Sequence, residues 1–202
     1  MRYTITHSLL SSWLHSMKDN PYEDATTERD AGEEFMQTLR REPIPMNEAM
    51  QNGIDFENLV TRVAYGMSPE GDSWGEAAAA IADRVRGGIF QYKAYKEVQV
   101  GGMTLLLNGR LDVLKAGEIF DIKFSKNYEP GKFYGSTQHP MYFELIPEAN
   151  SFTYLASNGS GVWSETYRRD ETQSIIPTIE SFLFWLSDTG LMPLYQEKWA
   201  AK

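Results

Sequence analysis

Two short segments joined by a tight turn constrain this 202-residue chain more than any other feature. Residues 109–114 have the sequence Gly-Arg-Leu-Asp-Val-Leu, and residues 118–124 have the sequence Glu-Ile-Phe-Asp-Ile-Lys-Phe. Apolar and polar residues alternate along both, as in strands that bury one face. The intervening Ala116-Gly117 suits a two-residue turn, because glycine adopts a positive φ angle at little cost. The pattern predicts an antiparallel hairpin.

The register that follows from a two-residue turn brings like charges together. It pairs Asp112 with Asp121 and Arg110 with Lys123, and opposed Cβ atoms in such a ladder lie about 4.5–5.5 Å apart. Two opposed carboxylates destabilise a sheet unless another charge compensates them. A divalent cation between the aspartates would do so, within reach of Lys123; the alternative is an exposed hairpin with ordinary surface charges. The opposite face is predicted to be core and holds Leu111, Val113, Phe120 and Ile122.

Periodic apolar residues elsewhere predict a mixed α/β fold forming one domain over residues 1–202. Helices are expected over residues 8–17, 31–41, 52–65, 76–89, 137–145 and 174–186. Strands are expected over residues 94–100, 103–108, 109–114, 118–124, 151–156 and 161–167. Asp19-Asn20-Pro21 is expected to end the first helix. Tyr195 and Trp199 are expected to pack the C-terminal tail against the domain.

Composition restricts the chemistry that the chain can perform. It has no cysteine, which excludes a disulfide framework, a zinc-thiolate site, a cysteine-ligated iron–sulfur cluster and a cysteine nucleophile. Only three histidines occur, so a histidine-rich metal site is not expected. A metal in this protein would be held mainly by carboxylates, which favour Mg²⁺, Mn²⁺ or Ca²⁺.

The formal charge of −9 is unevenly distributed along the chain. Residues 19–57 carry a net charge of −8, whereas residues 84–132 carry a net charge of +4. The overall acidity is therefore no argument against a nucleic-acid partner for the hairpin region. Residues 1–7 lack the long apolar run of a signal peptide, so none is expected, and no window approaches the apolar length of a membrane span. We expect a cytoplasmic protein with no membrane partner.

The hairpin resembles the core of a known group of enzymes. Gly109-Arg110-Leu111-Asp112 followed by Asp121-Ile122-Lys123 is similar to the PD-(D/E)XK nuclease superfamily, especially its RecB-like and phage-exonuclease branch. The resemblance implies a restriction-endonuclease-like fold, a central mixed β-sheet flanked by α-helices. It implies that Asp112, Asp121 and the Ile122 carbonyl bind Mg²⁺ or Mn²⁺, and that Lys123 positions and activates the attacking water. Leu111 stands where the superfamily name has proline, a departure common in this branch.

An upstream helix is similar to the one that carries a further metal ligand in this branch. Glu57 lies at the edge of its apolar stripe and is the candidate ligand. Asp55, Glu33 and Glu34 are weaker candidates for the same role, and a solvated helix charge is the alternative for Glu57.

A downstream Gln-xxx-Tyr element, Gln138 to Tyr142, also resembles this branch. The spacing of four residues places both side chains on one helix face. In the family these side chains contact DNA or orient groups of the active site. His139 is expected to be a helix-end residue and not a ligand.

Three basic residues are further candidates for DNA contact: Arg110, Lys126 and Lys132. Arg110 shares the charged face of the hairpin and could meet a phosphate or pair with a carboxylate. Lys126 and Lys132 lie in the loop after the second strand. The aromatic residues interleaved with them are Tyr128, Phe133 and Tyr134. Aromatic rings of this kind stack on unpaired bases, and the alternative is a solvated loop whose rings fold onto the domain.

The resemblance implies a Mg²⁺- or Mn²⁺-dependent DNA exonuclease, used in phage or prophage recombination or in DNA end processing. One alternative is a RecB-like endonuclease or a CRISPR-adaptation-type nuclease without an iron–sulfur cluster. Another is a catalytically weak nuclease-fold protein that binds DNA or a partner. Linear DNA ends are the expected partner. A single-strand annealing or recombination partner and a homo-oligomer stay open.

Overall fold

A computed structural model describes residues 1–18 and 31–201. The predicted mixed α/β fold is confirmed: a six-stranded mixed sheet is flanked by helices. In chain order the elements are β1 (Arg2–Ile5), α1 (His7–Ser16), α2 (Ala31–Arg40), α3 (Glu48–Ala64), α4 (Gly75–Val85), β2 (Ile89–Val100), β3 (Met103–Lys115), β4 (Glu118–Phe124), α5 (Gln138–Leu145), β5 (Ser151–Ser157), β6 (Val162–Arg168), α6 (Ile176–Asp188) and α7 (Met192–Lys198). The expected helix stop at Asp19-Asn20-Pro21 lies outside the described residues. None of the described helices is long and apolar enough to cross a membrane.

Strand β3 is the centre of the sheet. On one side it pairs with β2 along nearly its whole length. On its other side it pairs in parallel with β1 over Thr104–Leu107 and antiparallel with β4 over Val113–Lys115. Strand β4 continues in parallel with β5, and β6 pairs with β5 at the sheet edge. Residues 108–112 of β3 therefore face a gap between β1 and β4.

Two hydrophobic clusters cover the two faces of the sheet. Along β4, Ile119 joins one cluster, whereas Phe120 and Ile122 join the other. Successive side chains of a strand point to opposite faces, so these clusters lie on opposite sides of the sheet. Helices α1, α2, α5, α6 and α7 contribute to the first cluster, and α3 and α4 contribute to the second. The C-terminal tail packs as expected, through the fully buried Tyr195 and the buried Trp199.

The prediction that Leu111, Val113, Phe120 and Ile122 share one face is wrong for Leu111. Leu111 joins the first cluster, and the other three join the second. Strict alternation would place Leu111 and Val113 together. The pattern inverts at Asp112, which has no register partner in β2 or β4. The irregularity in β3 thus coincides with a residue of the candidate site.

Candidate active site

The turn of the β3–β4 hairpin has the geometry that the sequence predicts. Ala116 and Gly117 have φ angles of 50° and 80°, as a primed two-residue turn requires. The neighbouring pairs are Lys115 with Glu118, Leu114 with Ile119, and Val113 with Phe120. This register is the predicted one, and the two-residue turn is confirmed.

Beyond Val113 and Phe120 the two strands separate, and the predicted pairs Asp112–Asp121 and Arg110–Lys123 are not formed. The Asp112 side chain accounts for the separation. Its Oδ2 accepts a hydrogen bond from the Ile122 backbone N–H at 2.8 Å. The Asp112 carboxylate thus takes the place of a β3 backbone carbonyl as acceptor for the Ile122 N–H. On its other side, strand β4 remains paired with β5 as far as Phe124. On the opposite side of β3, Arg110 is paired with Lys93 of β2.

Asp121 is buried, with an exposed fraction of 3%. Its Oδ1 accepts a hydrogen bond from Gln138 Nε2 of α5. Its Oδ2 lies 2.9 Å from Lys123 Nζ as an ion pair, although it has no aligned hydrogen bond. A buried carboxylate oxygen without a hydrogen bond is costly unless a cation stabilises it. Asp121 Oδ2 is therefore directed at a place that favours positive charge.

Glu57 of α3 is the candidate third ligand that the structure brings to this cluster. It is half-buried, and Gln91 Nε2 of β2 donates a hydrogen bond to its Oε1. Its charge acts on Asp112 and on Lys123. Asp55, one of the alternatives, is exposed and accepts a hydrogen bond from Gln51. The other two, Glu33 and Glu34, lie on α2, which packs on α1 and α7.

The three acids and the lysine perturb one another strongly. Burial, together with the charges of Asp121 and Glu57, raises the pKa of Asp112 well above its usual range. Burial also raises the pKa of Glu57, although Arg110 opposes this effect. For Lys123, burial alone lowers the pKa, but the nearby carboxylates outweigh it and the net pKa is raised. Lys123 is therefore a stable cation at neutral pH.

His7 is a site residue that sequence reasoning missed. It is the first residue of α1, directly after the N-cap Thr6, and its ring lies 5.7 Å from the ring of Tyr142. Burial lowers its pKa to about 4; the charge of Lys123 adds to this effect and that of Asp121 opposes it. The imidazole is thus neutral beside the charged cluster. No motif near His7 marked it, because only the pairing of β1 with β3 brings α1 to this edge.

The Gln-xxx-Tyr element lies on α5 and is almost fully buried. Gln138 holds Asp121 as described, and Tyr142 Oη donates a 2.9 Å hydrogen bond to the Arg110 carbonyl. Both side chains therefore orient strands of the site. His139 lies apart from the carboxylates: it stacks on Tyr167 with ring centroids 4.1 Å apart, and its Nδ1 lies 3.2 Å from Tyr154 Oη.

The basic candidates divide into two groups. Lys132 Nζ is turned to Ser125 Oγ at 2.7 Å and to the Asn127 carbonyl at 2.9 Å. Lys126 Nζ lies 3.5 Å from Glu48 Oε1. Arg110, by contrast, is exposed and has no side-chain hydrogen bond or ion pair among the described residues, although its charge acts on Glu57.

The interleaved aromatic residues of the 126–134 loop also divide. Tyr128 stacks on Trp163, and Phe133 stacks on Tyr154, with ring centroids 5.4 and 4.2 Å apart. These two rings fold onto the domain, as the alternative interpretation expected. Tyr134 is 82% exposed.

The donor set fits a hard divalent cation. Across residues 1–18 and 31–201, no three His, Asp or Glu side chains form a ready-made metal site. The charges of Asp121 and Glu57 nevertheless act on Asp112, and the buried Asp121 Oδ2 lacks a hydrogen bond. Carboxylate oxygens are the ligands that Mg²⁺ and Mn²⁺ prefer. Lys123 supplies the compensating positive charge in the structure described.

Comparison with known proteins shows a likeness of fold. No protein-family model and no curated protein matches the chain. One solved structure, described as "Crystal structure of SSO0001", superposes with a TM-score of 0.50 at 14% sequence identity. The match covers 95% of this chain and 76% of that one. Identity this low shows a shared fold and nothing about activity.

Proposed function

We propose that this protein is a metal-dependent nuclease that hydrolyses phosphodiester bonds in DNA. The observation that supports this most directly is the cluster of Asp112, Asp121 and Glu57 around Lys123, with one buried aspartate oxygen lacking a hydrogen bond. Asp112, Asp121, Glu57 and the Ile122 carbonyl would hold Mg²⁺ or Mn²⁺. When bound, the ion neutralises phosphate charge and supplies a water molecule of lowered pKa.

The protein's own groups would orient the reacting atoms. Lys123 remains protonated because its pKa is raised, so it stabilises developing negative charge instead of removing a proton. Gln138 fixes Asp121, and the Ile122 N–H fixes Asp112. These hydrogen bonds hold the acids in place before a substrate arrives, which lowers the cost of organising the site.

A polymeric substrate is supported by the surface beside the acids. Lys93 and Arg110 are directly opposed across β2 and β3, and both are exposed. Neither side chain has an ion-pair or hydrogen-bond partner among the described residues, and opposed like charges destabilise a sheet. Two successive phosphates would compensate them. Tyr95, 57% exposed and two residues along β2 from Lys93, offers a ring on which a base could stack.

The primary test is cleavage of end-labelled linear DNA by the purified protein with Mn²⁺ or Mg²⁺. We expect degradation that EDTA stops and that Lys123→Met abolishes. Lys198→Met is the matched control, because Lys198 lies on α7 and forms an ion pair with Glu197; it should cleave like wild type. Full activity in Lys123→Met, or no metal-dependent cleavage by wild type, would contradict the proposal.

Closed circular DNA separates the candidate reactions. An exonuclease, which we favour for recombination or end processing in the cytoplasm, leaves it intact. A RecB-like endonuclease linearises it. Binding without cleavage on both substrates would identify a nuclease-fold binding protein.

The surface of Lys93 and Arg110 can be tested separately by DNA binding in Ca²⁺. Lys93→Met should weaken binding at every sequence and reduce the slope of log affinity against log salt by about one. If Lys93→Met leaves the salt dependence of DNA binding unchanged, DNA binds at another surface of the protein.

A further inference from the structure

Gln91 is a strained residue in the middle of strand β2. Its φ angle is 54°, in the left-handed region that residues with a Cβ rarely adopt. Its neighbours Phe90 and Tyr92 pair normally with Val113 and Leu111. Gln91 itself lies opposite Asp112, and that pair is missing from the ladder. Strand β2 therefore departs from regular geometry at Gln91, which lies beside the candidate site.

The side chain of Gln91 shows what this conformation achieves. Its Nε2 donates a hydrogen bond to Glu57 Oε1 on α3, an element that is remote in sequence. No other side-chain hydrogen bond to the Glu57 carboxylate occurs among the described residues. An amide donor orients the carboxylate without neutralising its charge, unlike a lysine or arginine.

The same arrangement recurs at the other two acids. Gln138 Nε2 holds Oδ1 of Asp121, and the Ile122 N–H holds Oδ2 of Asp112. Each of the three carboxylates thus has one oxygen held by an uncharged N–H donor. Groups that orient metal ligands in this way strengthen metal binding. Strain kept at such a position indicates that the conformation serves the site.

We propose that Gln91 is a positioning residue for divalent-cation binding, whose left-handed backbone aims its amide at Glu57. This inference rests on the proposed metal-dependent function. It predicts that Gln91 reduces the stability of the protein without metal and increases its affinity for metal. A residue that merely filled a kink in β2 would affect stability alone.

The test uses Gln91→Gly, which accepts the positive φ angle and removes the amide. We expect the EDTA-treated variant to melt at or above the wild-type temperature. Its affinity for Mn²⁺, measured by calorimetric titration without DNA, should fall by about 10–100-fold. Cleavage should need a correspondingly higher Mn²⁺ concentration, with little change in the rate at saturating Mn²⁺. Ala116→Gly is the control, because Ala116 has a positive φ angle at a turn away from the acids; it should bind Mn²⁺ like wild type.

Gln91→Asn supplies a second variant, since asparagine tolerates the left-handed region but its amide is one carbon shorter. It should also lose Mn²⁺ affinity. Wild-type Mn²⁺ affinity in both variants would overturn the inference while leaving the proposed nuclease intact. If wild type binds Mn²⁺ but cleaves no DNA, the proposed function fails and the titration still decides the role of Gln91. If wild type binds neither Mn²⁺ nor Mg²⁺, both proposals are wrong.

Discussion

The β3–β4 hairpin is regularly paired near its turn, whereas its two strands separate at the other end, where the acids of the candidate site lie. Near the turn, three consecutive residue pairs form a regular ladder, and Val113 and Phe120 are buried beneath α3 and α4. At Asp112 the ladder to β4 stops, and the ladder to β2 skips the same residue. Strand β4 stays regular against β5 throughout. The distortion therefore belongs to β3 and β2, where it makes room for charged groups that a continuous sheet would exclude.

The same contrast holds for backbone strain. Among the described residues, Ala116 and Gln91 are the two with a Cβ and a positive φ angle in or between sheet strands. At Ala116 the angle only closes a turn, whereas at Gln91 it places a donor on an acid of the site. We therefore expect glycine at position 116 to leave metal binding unchanged, and glycine at position 91 to weaken it.

The largest expected effect on stability is in the regular part of the hairpin, residues 113–120. Phe120→Ala removes a buried ring that is 4% exposed. Truncation of a packed phenylalanine costs about 3–5 kcal/mol, so urea unfolding should show a loss of this size. A loss below 1 kcal/mol would mean that the Phe120 side chain is not tightly packed in the folded protein.

Asp121→Asn should strongly reduce activity, because Asp121 lies where β3 and β4 have separated. Asparagine has a similar size and can still accept from Gln138, but it removes the charge that faces Lys123. We expect metal-dependent cleavage to fall by about a hundredfold or more. The control is Asp170→Asn, because Asp170 is exposed and pairs with Arg168. Equal cleavage rates in the two variants would show that Asp121 is not part of the active site.

Asp112→Asn should make the metal-free protein more stable at neutral pH. Burial raises the pKa of Asp112, so the folded protein holds this proton to a higher pH than the unfolded chain does. The free energy of unfolding therefore falls as pH rises above the ordinary range of aspartate. Asparagine keeps the acceptor for the Ile122 N–H and removes this penalty. We expect a gain in the free energy of unfolding at neutral pH, seen as a higher Tm than that of wild type in EDTA.

The pH series provides the control for this prediction. In EDTA the gain should vanish at acidic pH, where Asp112 is protonated in both folded and unfolded wild type. A gain that is the same at all pH values would show that charge is not its cause.

Ala116→Gly should have the smallest effect. A left-handed residue with a Cβ costs about 1–2 kcal/mol, and the greater freedom of unfolded glycine offsets part of the gain. Thermal unfolding should therefore show a net stabilisation of about 0.5–1 kcal/mol with unchanged cleavage. Loss of activity would show that the two ends of the hairpin are not independent.

The hairpin was predictable because its determinants are local. Apolar alternation specifies the strands, and Gly117 permits the turn, so three residue pairs followed from the sequence. The same local logic failed one residue further, because a regular ladder cannot anticipate that the Asp112 side chain replaces a backbone acceptor. Strand β1 was also missed, since four residues carry too little periodicity to be distinguished.

The sequence by itself determined the mixed α/β architecture and the turn at Ala116-Gly117, and it indicated the acids and the lysine of the candidate site. Only the tertiary structure decided which distant side chains meet them. His7, Glu57 and Gln91 lie in separate elements, and their approach depends on how α1 and α3 pack on the sheet and on the kink in β2. Packing of this kind is set by the balance of burial over the whole molecule, so no short motif encodes it.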